Sequence, residues 1–250
     1  LLDCPPKVRW RAVFQRACLL SLRDDNLGAL RLLRPALPEL RIHHHNDYLE
    51  ARITELRLLT RLLDPAALTC ATEMMPITNA TDPHYELHSV AAHAEALITW
   101  GRYHEAAALC DRPDLITAPA SPGDVARLLG MRCLAALGCG DLAGAAANEA
   151  LLHEHQRRQG NFLHAAASAL PRALLALATE PPQRARSALA AIVGELDERY
   201  PTTTSWAYGF RILLAEAERR LGRLDEAVST LVDGLSQGIN RSDYTKTLPA

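Results

Sequence analysis

Two ten-residue stretches, GRYHEAAALC from Gly101 and GRLDEAVSTL from Gly222, carry the same punctuation: Gly, Arg, a ring or Leu, an acid, then Ala. A catalytic motif is seldom duplicated within one short chain, whereas a structural unit that stacks on copies of itself must be. Marking the residue that follows each turn gives Leu27, Pro65, Tyr103, Leu142, Ala185 and Leu224, in steps of about 38 to 43 residues. The ladder predicts about six repeats of two helices each. First helices are expected near 7–22, 47–63, 84–100, 122–138, 162–179 and 204–221, and second helices near 27–37, 65–75, 103–111, 142–158, 182–199 and 224–237.

In the first helices apolar residues recur at three- and four-residue intervals, as in Leu49, Ile53, Leu56 and Leu63, or Trp206, Phe210, Leu213, Leu214 and Leu221. That is the spacing of one buried helical face. Pro35, Pro38, Pro76, Pro113, Pro119, Pro122, Gly160, Pro201 and Gly238 read as breaks between units. Pro171 falls inside a first helix and is expected to bend or restart it, because it lacks a backbone donor and crowds the preceding turn. At the repeated turn, Gly101 and Gly222 are expected in the left-handed conformation that ends a helix. Tyr103 and Leu224 are expected to wedge between the two helices of a pair. Glu105 and Glu226 lie where the positive end of the second helix favours an acid, and Ala106 and Ala227 are small enough for that helix to lie close.

Composition agrees with helix on helix. The 250 residues are 48% hydrophobic and 22% charged but only 5% aromatic, a balance that favours Ala- and Leu-rich helices over sheets. A net charge of −2 gives no basic surface for phosphate backbones, so direct nucleic-acid contact is not expected. No apolar run is long enough to cross a bilayer, and no signal core follows a basic start. Cys4, Cys18, Cys70, Cys110, Cys133 and Cys139 sit singly in apolar runs and read as small buried hydrophobes in a reducing compartment, hence a cytoplasmic location. The chain starts without Met and is expected to be a fragment of a longer protein.

The motifs G-R-Y-H-E-A and G-R-L-D-E-A resemble the helix-turn-helix signature of tetratricopeptide (TPR) repeats, with GDLAGA a partial match and QRARSA and DNLGAL weaker ones. The longer period is similar to the helical-repeat regions of bacterial transcriptional regulators of the MalT/LuxR and antibiotic-regulatory types, as is the segment GNFLHAAASALPRALLALATEPPQRARSAL. The resemblance implies an all-α, right-handed α-α superhelix spanning 1–250 as one domain. It also implies a concave wall of first helices on which Gln15, Arg57, Arg61, His88, Glu95, Arg127, Glu216, Arg219 and Arg220 face the groove. Several guanidinium groups there would suit a carboxylate, a phosphate or an acidic peptide.

Nothing in the chain carries the pattern of an enzyme: GxGxxG, GxxxxGK[ST] and GxSxG are absent. Glu216 with Glu218, and Asp24 with Asp25, read as solvated helix charges. His43, His44 and His45 fall in the turn before Asn46, an expected helix cap, and cannot converge on one ion. His153 and His155 flank Glu154 but point apart on a helix. His84 and His88 share a helical face with metal-holding spacing, but no carboxylate or Cys at a matching interval supplies a third ligand, so no metal and no cofactor are expected. The expected role is a non-catalytic domain of a bacterial regulator that receives a small molecule, peptide or protein. The alternative is a free-standing adaptor, and an apolar end of the array could also pair two copies.

Overall fold

The computed structural model describes residues 6–23, 25–79, 83–117, 121–159, 165–199 and 205–241. Among these residues there is no strand. The helices are α1 (Pro6–Leu22), α2 (Asn26–Leu33), α3 (Leu37–His43), α4 (His45–Arg61), α5 (Ala66–Asn79), α6 (Pro83–Thr99), α7 (Tyr103–Cys110), α8 (Pro113–Thr117) and α9 (Pro122–Gly138). They continue as α10 (Leu142–Gln159), α11 (Ala165–Thr179), α12 (Pro182–Arg199), α13 (Ser205–Arg220) and α14 (Leu224–Arg241). They gather into two compact units, Leu1–Cys139 and Gly140–Ala250.

Both units stack helices in succession, as an all-α helical repeat does. In the first, α1 packs on α2, α4 on α5 and α6 on α7, while α2, α5 and α7 each pack on the first helix that follows. This leaves α4, α6 and α9 side by side. In the second unit α10, α11, α12, α13 and α14 pack each on the next, with α11 beside α13. No pair could bury its apolar faces alone, so each relies on the next. Leu33, Leu40, Ile53, Leu56, Leu58 and Met74 fill the first core, and Leu189, Ile192, Phe210 and Leu214 the second.

The repeated turn works through the backbone. Gly101, Gly140 and Gly222 have φ of +72°, +77° and +75°, the left-handed region that glycine enters without strain. Around Gly101 the Arg102 amide donates to the Leu97 carbonyl at 2.8 Å, and around Gly222 the Arg223 amide donates to the Glu218 carbonyl at 3.0 Å. These six-to-one bonds occupy carbonyls that a helix end leaves open. The same bond joins the Asp64 amide to the Leu59 carbonyl at 2.9 Å, and there the left-handed residue is Leu63, with φ of 54°. The chain then re-enters a helix through Asp25, Asp64 or Asp141, whose carboxylates accept from the amides of Gly28, Ala66 and Gly144. Where Arg holds that place instead, it pairs with the acid three residues on, Arg102 with Glu105 and Arg223 with Glu226. Ala29, Ala106, Ala145 and Ala185 are closed to solvent where the second helices lie against their neighbours, and Ala227 is nearly so.

Several details differ from the sequence reading. The Tyr103 ring reaches beyond its own pair of helices and lies over Gly138, at the end of α9, where a Cβ would meet the ring at 2.1 Å. Leu142 and Leu224 are exposed rather than wedged. Pro76 and Gly238 lie inside α5 and α14 and do not break them, whereas α2 ends at Leu33 before Pro35 and α7 at Cys110 before Pro113, which opens α8. Pro171 sits buried within α11, which continues through it. Asn46 is not the cap of α4: His44 holds that place and His45 opens the helix. Pro119, Gly160 and Pro201 lie outside the described residues, as does Cys4. Cys70, Cys110 and Cys133 are buried thiols, and Cys18 and Cys139 are half-buried. Burial pushes Cys70 and Cys110 up to about 12. No described helix is long and apolar enough to cross a membrane.

Two substitutions test the turn chemistry in urea unfolding. Gly138→Ala drives a methyl into the Tyr103 ring and is expected to lower stability by about 1–3 kcal/mol. Leu63→Gly removes left-handed strain at an exposed site and is expected to raise it by roughly 0.5–1 kcal/mol.

Candidate functional site

The row formed by α4, α6 and α9 brings together four chemistry-bearing side chains from three successive repeats. His84 and His88 lie one turn apart on α6, with ring centroids 5.8 Å apart. Glu50 of α4 stands on one side, at 3.5 Å from His84 Nε2 and 3.6 Å from His88 Nδ1. Asp124 of α9 stands on the other, at 3.5 Å from His84 Nδ1 and 3.6 Å from His88 Nε2. Both imidazoles are thus held between two carboxylates. Asp124 is fixed by a reciprocal cap: the Ser121 hydroxyl donates to its Oδ2 at 2.7 Å, and its amide donates back to Ser121 Oγ at 3.3 Å. Pro122 at the first helical position supplies the backbone angle that starts α9 there.

The electrostatics follow from burial and charge. Burial would raise the Glu50 carboxyl, but the close approach and charge of His88, with His84 and Arg57, hold it below the usual carboxylate range. Burial pushes the His88 imidazole down, while Glu50 and Asp124 pull it part of the way back. His88 Nδ1 is sealed from solvent and makes no hydrogen bond within the usual limit.

Two turns further along α4, Arg57 presents a different problem. Its Nε and Nη2 are shut away from solvent and find no hydrogen-bond partner among the described residues. Burial, then repulsion from Arg127, holds the guanidinium down to about 9, against the attraction of Glu95 and Asp124. It remains a cation at neutral pH with donors unspent. Glu55, on the same helix, shows the contrast: it is buried, but Arg34 Nε and Arg52 Nη1 donate to it at 3.0 and 2.6 Å. The fold satisfies Glu55 and leaves Arg57 open.

The structure therefore brings Arg57, Glu95 and Arg127 into one electrostatic group within reach of His88. Arg61 is exposed, and its Nη1 donates to Ser21 Oγ at 2.8 Å. Gln15 is exposed on α1. In the second unit, Glu216 accepts from Arg219 Nε at 2.6 Å and Arg220 Nε at 2.8 Å, and Arg220 Nη1 donates to the Leu177 carbonyl at 2.7 Å. That group is closed on itself. Glu218 is not a solvated charge as the sequence suggested: it is buried, accepts from Thr230 Oγ1 at 2.8 Å and lies 3.4 Å from Arg186. The partners of His84 and His88 are not on their own helix: Glu50 and Asp124 stand on the neighbouring first helices, beyond the reach of spacing along one helix. The repeat register was the available signal. Glu50 and His88 hold equivalent places in successive units, and Asp124 lies one turn before the next equivalent place.

No protein-family model matches the chain, and no curated protein matches it. Among solved structures it is similar to BtubC (BKLC) from P. vanneervenii, at 13% sequence identity and a TM-score of 0.59, over 93% of this chain and 94% of that one. That likeness speaks to the fold alone.

A guanidinium with sealed donors that make no hydrogen bond weakens the fold that holds it. Arg57→Met keeps the length and removes the desolvated donors, so it is expected to raise the stability of the ligand-free protein, by about 1–3 kcal/mol, in chemical unfolding. A loss of stability of that size would show that the guanidinium is already satisfied.

Proposed function

We propose that the chain is a non-catalytic, TPR-like domain that receives an anionic ligand on the α4–α6–α9 row, as part of a cytoplasmic bacterial transcriptional regulator. One observation carries the reading: Arg57 keeps buried donors unspent beside Arg127, an arrangement that detracts from stability and suits a carboxylate or phosphate. The ligand would be a small molecule or an acidic peptide segment. Its binding would favour one stacking of α4, α6 and α9 over another, and so pass a signal along the array.

The test is a thermal-shift panel of polycarboxylates, nucleotides and phosphopeptides on the purified chain. At a hundredfold excess over its dissociation constant, a true ligand stabilises by about 2.7 kcal/mol. Arg57→Met and Arg127→Gln are expected to abolish that shift. Indifference to every class would contradict the reading. The regulator assignment has its own check: the gene is expected to encode a DNA-binding or nucleotide-binding region beside these residues, and a gene product limited to them would overturn it.

A second reading, a protein-scaffolding adaptor or a homodimer, is favoured by α14. Leu224, Val228, Val232 and Leu235 are all exposed at helical spacing along it. Sedimentation equilibrium showing a dimer that Val232→Glu dissociates would support this use of the surface.

A further inference from the structure

We infer that Glu50, His84 and His88 form a binding site for one divalent transition-metal ion, oriented by Asp124. Each of the three residues offers one ligand atom, and these atoms lie within 4.8 Å of one another. A tetrahedral ion with bonds of about 2.0–2.1 Å sets its ligand atoms roughly 3.3 Å apart. One Glu50 oxygen is 3.5 Å from His84 Nε2 and the other 3.6 Å from His88 Nδ1, so closing on an ion takes shifts of a few tenths of an ångström at those contacts and up to about 1.5 Å at the widest ligand pair.

The donor chemistry points the same way. Two imidazoles and one carboxylate, with no thiolate in the group, suit zinc, iron or nickel better than calcium or magnesium. The nitrogens that face away from Glu50, His84 Nδ1 and His88 Nε2, both face Asp124. A carboxylate facing both of those nitrogens favours the tautomer that turns the other nitrogen toward the ion and raises its basicity. Ser121 and the start of α9 hold Asp124 in place for that task. The sealed Nδ1 of His88 agrees with this: it faces Glu50 Oε2 at 3.6 Å, just beyond the hydrogen-bond limit, as two ligands of one ion would stand before the ion arrives.

Two carboxylates outweigh the nearest cation, Arg57, so the local field favours a divalent ion. Three protein ligands leave a coordination position open. The ion also ties α4 to α6, and through Asp124 to α9, across three consecutive repeats. The inference stands apart from the proposed anionic ligand and does not depend on it.

The experiment uses the full chain, stripped with chelator and with its cysteines alkylated, titrated with Zn²⁺ by calorimetry and with Co²⁺ by visible absorption. One equivalent is expected to bind, with a cobalt spectrum lacking any thiolate charge-transfer band. His84→Gln and His88→Gln are expected to weaken binding at least a hundredfold, and Asp124→Asn by about 10- to 100-fold. His153→Gln, on an exposed residue of α10, is expected to leave it unchanged. Circular dichroism melting in chelator verifies that each variant is folded, and Glu50→Gln gives a second, conservative probe if a histidine variant is not. Absence of saturable one-to-one binding, or zinc affinity in His84→Gln and His88→Gln equal to that of the parent, would overturn the site.

Discussion

Everything in this structure depends on a left-handed residue that ends one helix and lets the next fold back against it. At Gly101, Gly222 and Leu63, a six-to-one backbone bond closes the helix end at that residue. The small Ala that follows lets the returning helix come close. Geometry repeated in this way leaves each helix pair with an uncovered apolar face, which only another pair can cover. From that constraint comes the row in which α4, α6 and α9 lie side by side, and the row is what converts separate one-residue choices into a cluster.

The buried charged groups divide into those that serve the fold and those that do not. Glu55, Glu218 and Arg211 are buried, and each has its counter-charge, so they stabilise the packing or at least do not weaken it. Arg57 Nε and Nη2 and His88 Nδ1 are sealed without a hydrogen bond among the described residues, and do neither. Unsatisfied buried polar groups are rare because each opposes folding. Two of them lie on adjoining helices of the row, flanked by carboxylates and a second Arg, and Arg9, Trp10, His93 and Arg186 hold others. The two needs are complementary: carboxylates and imidazoles gather at the start of the row, and guanidinium groups follow them.

Much of the fold is legible in the sequence because it is written locally. The positive φ of Gly101 and Gly222, the buried Ala106, and helix limits such as 122–138 all follow from residues within one turn of each other. Proline was misleading where neighbours could accept it, as at Pro76 within α5 and Pro171 within α11. Tyr103 shows the limit of local reasoning: its turn is encoded nearby, but the ring lies on Gly138, one repeat away. The site was harder still. His84 and His88 announce themselves by their spacing, whereas Glu50 and Asp124 become their neighbours only through the stacking of α4, α6 and α9. Glu50 looks like any surface acid, and Asp124 like a capping residue. Arg57 is one arginine among many, and nothing in its flanking residues signals that its donors are shut away.

The central claim is that successive first helices stack so that Glu50 and Asp124 close on the two imidazoles from opposite sides. A crystal structure of the full chain tests it most directly. The account predicts the Glu50 and Asp124 carboxylates on opposite faces of the His84–His88 pair, about 3.5 Å from their ring nitrogens, with Arg57 turned inward beside them. A structure in which His88 points to solvent, or in which α4 and α9 do not flank α6, would contradict it.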